Sequence, residues 1–373
     1  MTSAAHLSAR LASLHERTAE TPLFNPVFQL SLELSRAIES GALGLDDAGA
    51  LVAELECDSL QSRAARLARL LDPVAPAANH AAIRALCDRS EDFAALAERW
   101  QRPYLHVVFT AHPTFLLTPA QADAVAAAAA SGAISSATVC AVDAPRPAIT
   151  LDHEHDEAMA AMARAQDARD AIAALVLEQA AARFPGEWRT LRPMPFRMAT
   201  WVGYDMDGRT DIGWSTSLRY RLKEKALRLG RYAARLEALV PGHALVARLR
   251  GAEAHAATLR DRFAADLLSA DHPDRLTSLA PLIAALEAEA QGAPDDLARG
   301  LLVLACAMRA DGLGMGGIHF RVNSSQLHNA IRRRIDPEDR LDLGSRTALA
   351  RMRELLATVQ PLRSNLAALA IEN

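Results

Sequence analysis

The stretch YLHVVFT, Tyr104 to Thr110, decides the reading of this chain. It is mostly apolar, rich in β-branched and aromatic residues, and too short for a stable lone helix, so it is expected as a buried strand. The strand runs directly into the polar Ala111, His112, Pro113 and Thr114. Thr118 and Pro119 then supply the N-cap and first-turn proline of an alanine-rich helix over Ala120 to Ala130. The same unit of strand, polar turn and helix recurs twice. FRMATWVG, Phe196 to Gly203, enters the turn Tyr204 to Arg209, and GIHFRV, Gly317 to Val322, follows the glycine-rich DGLGMGG. Asn323 and Ser324 after the third strand suit the start of a helix through Arg334.

Helical patterns fill the sequence around these units. From about Ala4 to Trp100 apolar residues recur at three- and four-residue spacing, as in Phe28 to Ile38 and Leu60 to Leu71. A long helical stretch ends near Phe184, and others follow the second and precede the third strand, over Ala244 to Ala270 and Pro281 to Arg309. The expected organisation is a helical N-terminal region over residues 1–100 and an α/β region over 101–373. Short buried strands separated by long helical excursions predict parallel pairing, with polar residues gathered at strand C-terminal ends, where an α/β barrel builds its active site. The fold class expected is therefore mainly α, derived from an α/β barrel with long helical insertions. Three strands cannot close a barrel, and the apolar pattern of Ala367 to Asn373 carries no stop signal, so the natural protein is expected to continue past this sequence.

Composition narrows the partners. The 373 residues are 50% hydrophobic and carry a formal charge of −4, which gives no reason to expect nucleic acid or an anionic membrane surface as partner. No stretch approaches the roughly 18 apolar residues of a membrane span, and the N-terminus lacks a signal-peptide core, so a cytosolic protein is expected. The cysteines, Cys57, Cys87, Cys140 and Cys306, form no CxxC pair and are expected to be reduced.

Several residues could carry chemistry. His112, just past a strand and directly before a proline, is held in extended backbone. It is either a proton carrier near neutral pH or a hydrogen-bonded structural histidine. Arg321 ends the third strand beside Asn323, Ser324 and Ser325, which suits an anion, although pairing with an interior carboxylate explains it equally. Asp205, Asp207 and Asp211 lack the spacing of a calcium loop and read as turn residues, with Gly208 taking a conformation others resist and Trp201 fixed beside them. Asp152 to Glu157 reads as an acidic helix start. The basic segment with Arg219, Arg221, Lys223, Lys225, Arg228 and Arg231 reads as a solvated helix face. DGLGMGG precedes its strand and so is not a dinucleotide fingerprint.

Three segments in order resemble the phosphoenolpyruvate carboxylase family. Val108 to Thr114 is similar to the family's TAHPTE segment, Trp201 to Gly208 to WxGGDRDGNP, and Gly317 to His328 to LDIRQxSxxH. The resemblance implies a helix-rich (β/α)8-type barrel of the phosphoenolpyruvate/pyruvate superfamily, of which this chain holds about the first three strands. It implies addition of bicarbonate to phosphoenolpyruvate, giving oxaloacetate and phosphate, with Mg2+ or Mn2+ whose ligands lie outside this chain. His112 would take the carboxyphosphate proton, Arg321 would hold phosphate or carboxylate oxygens, and Trp201 would wall the pocket. A homotetramer is expected of the full-length family. Departures mark a divergent member: Phe115 stands for a glutamate, Tyr204 and Met206 for Gly and Arg, and Phe320 and Val322 for the Ile and Gln around Arg321. A catalytically inactive relative that binds a phosphorylated metabolite or a carboxylase subunit is the alternative.

Overall fold

Side-chain caps set many of the helix starts. Ser3, Asn25, Asp92, Thr118, Ser135 and Thr150 each accept a hydrogen bond from a backbone N–H in the first turn that follows, which satisfies an amide the helix itself leaves without a partner. The computed structural model describes residues 3–71, 76–110, 117–140, 148–205, 211–266, 272–319 and 321.

The chain divides into two compact units, Met1–Pro76 with Leu116–Pro147, and Ala77–Phe115 with Ala148–Asn373. The first contains α1 (Ala4–Glu20), α2 (Pro26–Glu39), α3 (Leu45–Leu71), α6 (Pro119–Ser131) and α7 (Ser136–Val139). Leu60 and Ala64 of α3 pack on Val125 and Ala128 of α6 and Val139 of α7. That packing brings the Cα atoms of Cys57 and Cys140 to 5.3 Å, and the two form a disulfide. The expectation of four reduced cysteines is thereby corrected for this pair, whose 83-residue separation hides it from any reading of local spacing. Cys87 and Cys306 are free thiols, both buried.

The second unit holds α4 (Pro76–Asp88), α5 (Phe93–Gln101), α8 (Leu151–Arg183), α9 (Trp214–Leu239), α10 (Ala244–Asp266), α11 (Ala280–Gly292) and α12 (Asp295–Asp311), with three strands among them. Its main core joins α8, α9, α11 and α12 through residues such as Val176, Leu177, Tyr232, Leu236, Leu286 and Leu301 to Leu304. The strands are β1 (Leu105–Phe109), β2 (Phe196–Thr200) and β3 (Gly317–Ile318), all parallel in the order β1-β2-β3. The expected strands and their parallel pairing are thus observed, with two corrections: β1, expected to be buried, leaves Leu105 and Val108 exposed, and β3 is only two residues long. The chain is helix-rich with a small parallel sheet.

Alternation along the strands gives the sheet two unlike faces. Val107, Phe109, Phe196 and Met198 pack with Met159 and Met162 of α8. The other face carries His106 and Arg197, which are register partners, and then Ala199 opposite Gly317. No helix among the described residues is long and apolar enough to cross a membrane.

Candidate functional site

The C-terminal ends of the strands are fastened to one another by a few polar contacts. Thr200 Oγ1 donates to the Phe109 carbonyl at 2.9 Å and accepts from Val202 N at 3.1 Å, and His319 N donates to the Thr200 carbonyl at 2.9 Å. The chain then turns at Gly203, whose φ of +88° suits glycine and whose missing Cβ leaves room for the Tyr220 ring. Ser217 Oγ donates to the Gly203 carbonyl at 2.8 Å. Asp205 and Arg321 form a parallel bridge past the strand ends, with Arg321 Nη1 3.2 Å from Asp205 Oδ2. The Arg321 guanidinium also lies over the Trp201 ring, 5.1 Å from its centre.

Trp201, Asp205 and Arg321 are therefore brought together. Of the two roles the sequence offered Arg321, pairing with a carboxylate is observed, and its side chain stays 48% exposed while that of Asp205 is 11% exposed. An incoming anion can reach the guanidinium without unburying it. His112 lies outside the described residues, as do Asp207, Gly208, Phe115 and the helix start at Asn323 and Ser324. Among the described residues no group of three or more His, Cys, Asp or Glu side chains could hold a metal ion.

Beneath the strand ends lies a buried ionic network that the sequence reading missed. The segment read as a solvated basic face is α9, and its Arg221, Lys225 and Arg228 are buried. This corrects that expectation. Arg221 Nη1 donates to Glu224 Oε2 at 2.7 Å and to the Gly316 carbonyl at 3.1 Å. Arg228 donates to Gln166 Oε1 at 2.8 Å and Asp311 Oδ2 at 2.5 Å, and Arg169 takes both oxygens of Asp311 at 2.6 and 2.7 Å. Gln166 Nε2 donates to the Met315 carbonyl at 2.7 Å, and Tyr232 Oη to the Gly312 carbonyl at 2.9 Å. These charged and polar groups clamp the turn Gly312 to Gly316, which delivers β3 and hence Arg321. The glycines are needed there, since a Cβ on Gly314 would fall 1.9 Å from Arg221 Nη1.

A second arm of the network reaches the turn from below. Tyr204 Oη donates to Glu224 Oε1 at 2.6 Å, and His155 Nε2 lies 3.2 Å from the same oxygen. The helix start read at Asp152 to Glu157 is observed, with Thr150 as cap, but His155 within it is fully buried. Burial alone would pull the His155 imidazolium down, but Asp156, 3.9 Å from Nδ1, and Glu224 outweigh it and raise it above the ordinary histidine value. Burial pushes Glu224 up, yet His155, Arg221 and Tyr204 hold it below the usual carboxylate range. Burial, with Arg275, Arg221 and Arg248 nearby, lowers Lys225 to about 7. A signal for the network was present: Arg221, Glu224, Lys225 and Arg228 share one helix face, as do Gln166, Arg169 and Asp170.

A scan against models of known protein families finds no match, and a search of curated proteins finds none either. The resemblance accordingly rests on the three segments themselves.

Proposed function

We propose that this chain carries the first part of a phosphoenolpyruvate carboxylase-type active site, built on the opening strands of a (β/α)8-type barrel. One observation supports the reading above others: Trp201 and Arg321, taken from two segments 120 residues apart, meet at the C-terminal ends of adjacent parallel strands. Chance matches would have no reason to converge. The segment with His112 follows β1, the neighbour of β2, so all three segments continue from one edge of one sheet.

In this reading phosphoenolpyruvate approaches the strand ends with its phosphate or carboxylate toward Arg321, whose fork holds two oxygens at once. Asp205 keeps the guanidinium aimed until the anion arrives. Trp201 presents an apolar face to the methylene carbon and shields an enolate from water. His112 takes the proton released from carboxyphosphate. Oxaloacetate and phosphate are the products. The family's divalent metal would neutralise phosphate charge, but the described residues offer no ligand set for it.

The alternative, a non-catalytic relative that binds a phosphorylated metabolite or a carboxylase subunit, draws on Phe115, which removes the charge the family places next to its histidine motif. The carboxylase reading, and the alternative in its metabolite-binding form, predict that phosphoenolpyruvate binds and that Arg321→Gln weakens it by about tenfold or more. Oxaloacetate formation from phosphoenolpyruvate, bicarbonate and magnesium separates them, measured for the complete reading frame with and without His112→Asn. Activity that depends on His112 establishes the carboxylase; binding without turnover establishes the inactive relative. Failure of phosphoenolpyruvate to bind at all removes the carboxylase and leaves only the relative that binds a carboxylase subunit, for which copurification with a complete carboxylase is the check.

A further inference from the structure

The same sheet face has a second polar feature, nearer the start of the strands. A cavity of about 380 Å3 opens where β2 and β3 meet the end of α12, lined by His106, Arg197, Arg309 and His319 with Gly316 and Gly317 as its floor. Arg197 lies four residues before Trp201, about 13 Å at the rise of a strand, so the Arg197 end of the cavity stands apart from the strand-end pair, while His319 carries its other end to the strand ends. Its volume lies at the small end of ligand pockets, which suits a compact metabolite and not a dinucleotide.

The charge around it is unbalanced toward cations. Arg197 is exposed and has no hydrogen-bond or ion-pair partner among the described residues. The carboxylates that border the cavity are each shared by more than one cation. Asp311, in its wall, is held by Arg169 and Arg228, and Glu287 accepts from both Arg309 at 2.8 Å and Arg192 at 2.5 Å. Glu224, behind Arg221, is shared with His155. None is left to neutralise Arg197. Opposite it the rings of His106 and His319 lie nearly parallel, 5.2 Å between centres, and each brings ring nitrogens that donate when protonated. Glycine at 316 lets the chain pass close to Met162 and the Met198 carbonyl, where a Cβ would collide.

We propose that this cavity binds a small oxyanion, a phosphate or carboxylate group of a compact metabolite, with the Arg197 fork as its main contact and His106, His319 and Arg309 around it. Arginine is suited to either group because its planar fork matches two oxygens. The inference is independent of the carboxylase reading, which places its anion on Arg321.

Isothermal titration of the chain with inorganic phosphate, and separately with succinate, at ionic strength held constant with chloride, tests it. Saturable binding of at least one dianion is expected, and the arm that saturates identifies phosphate or carboxylate as the preferred group. Arg197→Gln should weaken binding by about tenfold or more, the loss of a charge-assisted pair. Circular dichroism checks that each variant is folded, and among the described residues Arg197 has no partner whose loss would disturb the fold. Absence of saturable binding by either dianion overturns the proposal. So does binding that survives Arg197→Gln, or binding that only Arg321→Gln removes, which would assign the anion to the strand ends and leave the carboxylase reading intact.

Discussion

Arg228 and Arg321 both hold an aspartate, and they differ in where the pair sits. The Arg228 and Asp311 side chains are 3% and 1% exposed, and the carboxylate is shared with Arg169. The Arg321 side chain is 48% exposed and its aspartate has room for exchange. A buried pair is costly to break because its remaining partner is stranded away from water, whereas an exposed pair contributes little and its charge stays available. The second unit uses the first kind to fix a turn and the second kind to present a cation. The lesson is that the arginine to examine for ligand contact is the one whose pairing is cheap to undo.

The largest effect should come from removing the shared carboxylate. Asp311→Ala leaves Arg169 and Arg228 buried against each other, and the loss expected is roughly 3–5 kcal/mol in the free energy of unfolding, read from urea denaturation. A loss under about 1 kcal/mol would break the comparison, because it would mean that the network is solvated in solution. Phosphoenolpyruvate binding, measured on the same variant, should fall as well, since the turn Gly312 to Gly316 that delivers β3 is clamped by this network.

A smaller effect, and a sharper one, concerns pH at the second arm. Glu224 is held below its ordinary value, so its contribution is present above that value and disappears as pH falls through the lowered one. His155 is raised, so its contribution is present below the ordinary histidine value and disappears as pH rises through the raised one. The pair therefore stabilises the fold most between the ordinary carboxylate and imidazole values, from about pH 4.5 to about pH 6.5. Glu224→Gln should cost roughly 1–3 kcal/mol in that window, with the difference from the parent narrowing above it as the histidine deprotonates. Unfolding curves recorded across pH check it; a difference that grows steadily with pH would contradict the assignment.

How far the sequence reached can be judged from the same two places. The strands were legible because each is a short apolar run between a turn and a polar loop, and Met198 and Ala199 are buried as such runs require. The meeting of Trp201 with Arg321 was legible only through the resemblance of their segments, since nothing local ties residues so far apart. The network was not read because charged residues default to the surface. Arg221 and Arg228 look like any basic helix until Gln166, Arg169 and Asp311 are set against them, and those come from α8 and α12. The Cys57 to Cys140 bond escaped for the same reason: only the packing of α3 and α7 brings them near.

The smallest effect on stability should come from the residue with the greatest expected effect on binding. Arg321→Gln removes an ion pair that is exposed on the arginine side and buried on the aspartate side, and the stacking of a guanidinium on Trp201, so the free energy of unfolding should fall by about 1 kcal/mol, less than for loss of the shared Asp311 carboxylate. Asp205→Asn should cost a similar amount, because the amide keeps the shape and the hydrogen-bonding oxygen of the carboxylate while losing its charge. The two variants part in binding: without Asp205 the guanidinium keeps its charge and phosphoenolpyruvate should bind nearly as well, whereas without Arg321 the anion loses its fork. A loss of several kcal/mol on either substitution would place the strand-end pair with the buried network, and Arg321 would then be a structural residue unable to leave its aspartate for a ligand.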